Sequence, residues 1–150
     1  MIKKTLFGVI AAVALLNTVQ AAMLDTIVEG LKAADIKFTQ DGDKVITEWT
    51  EDCVVVLCAD EERKQFKVEG YSGTAVPTAK RAAALEKVND LNRRTSVKFY
   101  LDDDGDIRVE RYVDTDNMPL SREVVGQTVG ALALGLKLGR EEMMKIRYGS

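Results

Sequence analysis

Asp102-Asp103-Asp104-Gly105-Asp106 gathers four carboxylates around one glycine, and the chemistry such a loop offers is calcium binding. An EF-hand with Gly105 at loop position six would put Tyr100 at position one and Arg111 at position twelve, where acidic ligands belong. The pattern fails at both ends. The Asp41-Gly42-Asp43 turn fails likewise, with Lys37 at position one, and both segments read as solvated turns. Cys53 and Cys58, the two cysteines, raise the question of a disulfide. They bound the run Val54-Val55-Val56-Leu57, which reads as a buried strand. Their odd offset puts the thiols on opposite faces, with Cα atoms about 16 Å apart. A disulfide spans roughly 4.4–6.8 Å. Free thiols, or a bond between chains, fit this spacing better.

The chain contains no histidine. That removes His-dependent triads, the commonest general base and most zinc sites. Ser72 and Ser121 sit in no motif that would activate a hydroxyl, and neither familiar phosphate-binding glycine spacing occurs. Among 24 acidic residues, no catalytic pair stands out without a fold. The expectation is a protein with no catalytic residues, cofactor or metal. Two alternatives stay open: a small-molecule binder, and an enzyme that works with carboxylates alone.

Residues 1–21 read as an export signal rather than as part of the folded protein. Lys3 and Lys4 form a positive n-region, and the apolar stretch Leu6 to Leu16 is too short to span a bilayer. Val19-Gln20-Ala21 then sets a cleavage site between Ala21 and Ala22. A buried N-terminal helix is the competing reading. Export implies a periplasmic or secreted protein, and no lipobox-type cysteine follows to anchor it. The remainder, 22–150, suits one domain with a real core. The net charge is −3, and loss of Lys3 and Lys4 makes it more acidic still. An acidic surface disfavours nucleic acid and anionic membranes as partners. The apolar segment Val124 to Leu138 contains Gln127 and Lys137, so a core helix is expected there and no stable membrane anchor.

Periodicity then supplies the elements. Leu24, Ile27, Val28 and Leu31 predict a helix over 23–34, ended by Asp35 and the following turn. Three strand-like runs follow, at 44–50, 53–59 and 65–71, with Trp49 expected in the core. Gly73 and Pro77 mark the next boundary, and a helix to Arg94 should bury Ala84, Leu85, Val88 and Leu91. In the hairpin 96–115, a three-residue loop Asp103-Asp104-Gly105 pairs Leu101 with Ile107 and Phe99 with Val109, and sets Lys98 opposite Glu110. Ser121 caps a last helix that buries Val125, Val129, Leu132 and Leu136, with Gly126 and Gly130 letting another element approach closely. The order α-β-β-β-α-β-β-α makes an α+β domain with an antiparallel sheet. Tyr100 and Tyr112 fall on the polar face of the hairpin with Lys98, Arg108 and Glu110. They are the candidate protein-binding surface.

The stretch Val88-Asn89-Asp90-Leu91-Asn92, then Val97-Lys98-Phe99-Tyr100-Leu101 with the acidic loop and Ile107, resembles the YbjN-type family of bacterial sensory-transduction regulators. The final helix, opened by Leu120-Ser121-Arg122-Glu123-Val124-Val125, is similar to the family's ending. The resemblance implies a fold like that of type III secretion chaperones, often a homodimer, and it carries no catalytic residues. The expected function is an exported, non-enzymatic module that recognises a polypeptide partner, chaperone-like or regulatory in purpose. Export departs from cytoplasmic secretion chaperones and argues against a role with secretion substrates themselves.

Overall fold

Strict alternation drives the sheet. In Cys53–Asp60 and Gln65–Ala75 every second residue is buried, among them Val55, Leu57, Phe66 and Val68, while the residues between them stay half-exposed. Such strands can only lie with one face on a core and the other toward solvent. The computed structural model describes residues 22–50, 53–60 and 62–149, the side chains of 49 and 50 excepted. The expected leader with Ala21, the core placement of Trp49 and the connection Glu51-Asp52 lie outside the described residues.

Helix α1 spans residues 22–33. Strands β1 (Thr39–Asp41), β2 (Lys44–Thr50), β3 (Cys53–Asp60) and β4 (Gln65–Ala75) follow as a meander, and then a 3-10 turn, Thr78–Lys80, leads into helix α2 (Arg81–Arg94). Strands β5 (Lys98–Leu101) and β6 (Asp106–Asp114) and helix α3 (Arg122–Tyr148) complete the order. The sheet runs β1-β2-β3-β4-β6-β5, antiparallel at every pairing. Helix α2 therefore carries the chain to the far edge, and β6 returns between β4 and β5.

The α+β class and the hairpin register agree with expectation: Lys98 pairs with Glu110, Phe99 with Val109 and Leu101 with Ile107, with Gly105 at φ 86°. Three features differ. Strand β1 was not expected; it is three exposed residues long, so it has no buried face to leave an alternating pattern. Strand β4 runs past Tyr71 to Ala75 because a register shift at Gly73 lets it bulge and re-pair with Asp106. Leu85 is 43% exposed, since α2 buries the line Ala84, Val88, Leu91 and Leu85 lies one step around the helix from it.

Helix α3 lies on the sheet through glycines other than the expected pair. A Cβ on Gly135 would stand 2.6 Å from Val97 Cγ2, and one on Gly139 would stand 2.9 Å from Phe99 Cε1, so their bareness lets α3 touch the hairpin core. Among the described residues, Gly126 meets only Ala34, at 4.0 Å, and Gly130 meets nothing within 4 Å. The i, i+4 glycine pattern was thus right in kind and wrong in position, because Gly135 and Gly139 fall on the same stripe as Leu132 and Leu136. Helix α1 packs against the start of α3, with Gly30 facing Val125 and Glu29 bonded to Arg122 at 2.7 Å. The Ser121 hydroxyl caps α3 by accepting from the Val124 amide at 3.2 Å. At the other end, Lys80 Nζ donates to the carbonyls of Ile146 and Arg147 at 2.8 and 3.1 Å, which carries α3 beyond its expected end near Lys145. Among the described residues, no helix is long and apolar enough to cross a membrane.

Asn92, whose residue type weakens a helix, instead guards the sheet edge. Its amide donates to the Phe99 carbonyl at 2.9 Å and its oxygen accepts from the Phe99 amide at 2.7 Å, occupying the outer hydrogen-bonding positions of β5. Asn92→Ala should cost about 2 kcal/mol, roughly 1 per lost bond, measurable as a lower urea midpoint with an unchanged denaturant slope.

Candidate functional site

Pairing fixes what the outer sheet face presents. Antiparallel partners share a face, so the rows run Glu48-Val54-Tyr71-Arg108-Tyr100, then Ile46-Val56-Glu69-Glu110-Lys98, then Lys44-Cys58-Lys67-Tyr112. The described helices pack on the opposite face or on α3. The outer face therefore grades from half-buried aliphatics on β2 and β3 to three tyrosines and paired charges on β4, β5 and β6.

At the centre two carboxylates, Glu69 and Glu110, stand directly opposite one another. Like charges in that position repel. Each carboxylate is therefore given its own cation and phenol. Glu69 takes Lys67 Nζ at 2.7 Å and the Tyr71 hydroxyl at 3.2 Å. Glu110, only 7% exposed, takes Lys98 Nζ at 2.8 Å and the Tyr112 hydroxyl at 3.0 Å. The Arg108 guanidinium lies 4.1 Å from the centre of the Tyr71 ring and is held from its other side by Asp102 at 2.5 Å. Lys67 also lies 5.7 Å from the Tyr112 ring centre.

The protonation states follow. Burial works to depress the Lys67 ammonium, but the hydrogen bond and charge of Glu69 outweigh it and hold its pKa well above the ordinary lysine value. The hydrogen bond and charge of Glu110 raise Lys98. Burial first, and the neighbouring carboxylates second, push all three phenols up: Tyr71 by Glu69, Tyr100 by Glu69 and Glu110, Tyr112 by Glu110. At neutral pH these groups are ammoniums and un-ionised phenols. They donate hydrogen bonds and offer ring faces; they are poorly set to take up protons. Cys58, on the same face, is raised chiefly by burial and so stays a thiol.

A pH dependence follows with a definite sign. Lysines and tyrosines whose folded pKa lies above the unfolded value contribute stability that is complete below that unfolded value, about 10 for both. It is lost as pH rises through the folded pKa. Unfolding free energy should therefore fall beyond about pH 10. The fall should be shallower in the Glu69→Gln, Glu110→Gln double variant, as checked by urea titrations between pH 8 and 11.

Tyr100 and Tyr112 lie together on this face, flanking Glu110, with Tyr112 43% exposed. Ala22 is exposed in the first turn of α1, where its carbonyl accepts from the Thr26 hydroxyl at 2.9 Å. The β4 residues Lys67, Glu69 and Tyr71 were missed. Their signal was the polar half of the alternation Gln65-Phe66-Lys67-Val68-Glu69, legible only once β4 is known to pair with β6. Glu110, expected among exposed charges, is buried because Tyr112 and Lys98 close over it. In the acidic hairpin loop, the Asp102 carboxylate accepts from the Asp106 amide at 2.9 Å and holds Arg108, so its oxygens serve the turn. Cys53 and Cys58 are free thiols on opposite faces, the first buried in the core.

Residues 23–134 match the YbjN family, described as "Putative bacterial sensory transduction regulator". No curated protein matches the sequence. Among solved structures, a chain of the ExsC–ExsE complex superposes with a TM-score of 0.62 at 15% identity, covering 81% of this chain and 93% of that one. A chain of the HopA1–SchA chaperone–effector complex gives 0.57 at 14% identity, covering 78% and 91%. An uncharacterized protein from Methanothermobacter thermautotrophicus gives 0.59 at 15% identity, covering 85% and 97%. At these identities the likeness is one of fold.

Proposed function

We propose that this chain, which belongs to the YbjN family, is a non-enzymatic polypeptide-binding protein, chaperone-like or regulatory, that works outside the cytosol. The observation that carries the binding reading is the outer sheet face, which no described helix covers. Three tyrosines, an arginine and two lysines surround a satisfied carboxylate pair beside an aliphatic strip on β2 and β3. Tyrosine and arginine are the residues that most often anchor protein interfaces, since they bring contact area together with hydrogen bonds. The fixed ammoniums and phenols suit backbone carbonyls and acidic side chains of a partner. Two of the structural neighbours are chains from complexes with protein partners, one of them a chaperone–effector complex, which supports the same reading.

Export rests on the leader pattern of residues 1–21, with cleavage between Ala21 and Ala22. The family match begins at residue 23, just past that site, which supports a domain that does not need the leader. Intact mass of the protein recovered from cells should correspond to a chain starting at Ala22; a full-length mass would refute export by this route.

A photo-crosslinking amino acid placed at Tyr100 tests the binding reading in living cells. It should trap a discrete polypeptide, while the same probe at Leu85 on α2 should not. Equal trapping from both positions, or none from Tyr100, would remove the outer face as the site.

A further inference from the structure

Resting on the polypeptide-binding reading and sharpening it, we propose that the notch where β6 outruns β5 takes the free C-terminal end of an extended polypeptide. Strand β6 pairs with β4 as far as Asp114, but its pairing with β5 stops at Glu110. Arg111 to Asp114 therefore have no described strand on that side. The Thr95 hydroxyl sets the limit. It lies 3.0 Å from the carbonyls of both Leu91 and Val97 and fixes the bend from α2 into β5, which begins only at Lys98. Beside the overhang lies a cavity of about 640 Å³, lined by Ser96, Val97, Lys98, Arg111 and Tyr112 among others. Its lining residues fall within 92–112, a stretch described throughout.

Bond alternation tells which backbone groups the notch presents. Along an antiparallel strand, successive residues point their N–H and C=O first at one neighbouring strand and then at the other. Asn92 holds both groups of Phe99, so Phe99 points away from β6 and Lys98 points toward it. Glu110, opposite Lys98, therefore points at β5, and Tyr112 and Asp114 point the same way. The Thr115 amide agrees with this parity, since it turns toward β4 and bonds the Lys64 carbonyl at 2.9 Å. The Asp114 carbonyl is taken by the Met118 amide at 2.9 Å. The Tyr112 amide and carbonyl have no backbone partner among the described residues. They form the short edge with which an added strand would pair.

Position and charge select the occupant. Two β6 edges paired about Tyr112 would bring a second Asp114 opposite Glu110, a place Lys98 already holds, so a second copy does not fit. A strand antiparallel to β6 runs in line with β5 and meets Val97 with its C-terminus. A parallel one would begin there with its N-terminus. The cation at that point is Arg111. Its guanidinium makes one long contact, 3.4 Å to the Ser96 hydroxyl, and pairs with no carboxylate among the described residues. Glu110 is already taken by Lys98 at 2.8 Å and the Tyr112 hydroxyl at 3.0 Å, so it is not left to receive an ammonium. A terminal carboxylate complements Arg111, whose planar fork can give it two parallel bonds. An internal segment would have to turn away at Val97 and leave Arg111 unanswered.

The test uses the purified chain, with the N-terminus the cell leaves on it, and a pool of randomised, N-acetylated octapeptides. The pool is made once with free C-terminal carboxylates and once amidated, and the best-retained peptide is then titrated in both forms. The acid should bind at least tenfold more tightly than the amide, and Arg111→Gln should remove that advantage with Tm unchanged. Hydrogen exchange of the Tyr112 amide should slow at least tenfold on binding, while the Arg111 and Val113 amides, already turned to β4, stay as they were. Equal binding of acid and amide, unaltered exchange at Tyr112, or retention of neither pool would overturn the notch as the site. So would a dimer that protects the Tyr112 amide without peptide, which would give the edge to a second copy. The crosslink at Tyr100 judges the outer face separately, so a polypeptide trapped there would leave the binding reading standing whichever way the notch is decided.

Discussion

Gly105→Ala should lower stability by about 3 kcal/mol, and Tm by on the order of 10 °C. Gly105 sits at φ 86°, beyond the small left-handed region that side chains tolerate, which costs about 1–3 kcal/mol. A Cβ there would also lie 2.6 Å from the Val76 carbonyl oxygen. That atom is backbone and cannot rotate away, and the Val76 amide is itself bonded to the Gly105 carbonyl at 3.0 Å. The segment between β4 and α2 is docked on the hairpin turn, so the substitution must break the dock or strain the turn. Gly42 supplies the internal comparison, with φ 61° and no described atom within 4 Å of a Cβ placed there. Gly42→Ala should cost about 1 kcal/mol, the conformational part alone. Equal losses for the two variants in urea denaturation would show that the Val76 contact carries no weight.

Tyr100→Ala together with Tyr112→Ala should weaken polypeptide capture by about 2–4 kcal/mol, roughly 30- to 1,000-fold in Kd. Anchoring aromatics at the centre of an interface dominate its energy because they fill pockets and exclude water from neighbouring polar contacts. Both side chains face solvent or the sheet's own charged network rather than the core, so Tm should fall by no more than a few degrees. A binding loss accompanied by a large fall in Tm would mean the tyrosines serve the fold, with Tyr112 acting chiefly as the lid over Glu110. Affinity and melting therefore have to be measured on the same preparation.

The sequence made the hairpin legible because alternation, charge pairing and the glycine of the turn all selected one register. It made Val125, Val129, Leu132 and Leu136 legible because a long amphipathic helix repeats its signal over several turns. Strand β1 escaped because three exposed residues carry no periodicity. Glycine placement escaped for a different reason: Gly126, Gly130, Gly135 and Gly139 look alike along the chain, and only the facing hairpin separates those that touch Val97 and Phe99 from Gly130, which meets none of the described residues. The site was half legible. Tyr100 and Tyr112 could be found within one hairpin, whereas Lys67, Glu69 and Tyr71 join them only through the non-local pairing of β4 with β6, which no local pattern encodes.

The central claim is that the outer sheet face takes a polypeptide, and NMR of the chain saturated with the polypeptide it captures tests it most directly. Signals of Lys67, Tyr71, Tyr100, Arg108 and Tyr112 should shift or broaden on binding, while those of Leu85 and Lys87 on α2 stay in place. Changes confined to the helices, with those five residues unmoved, would contradict it.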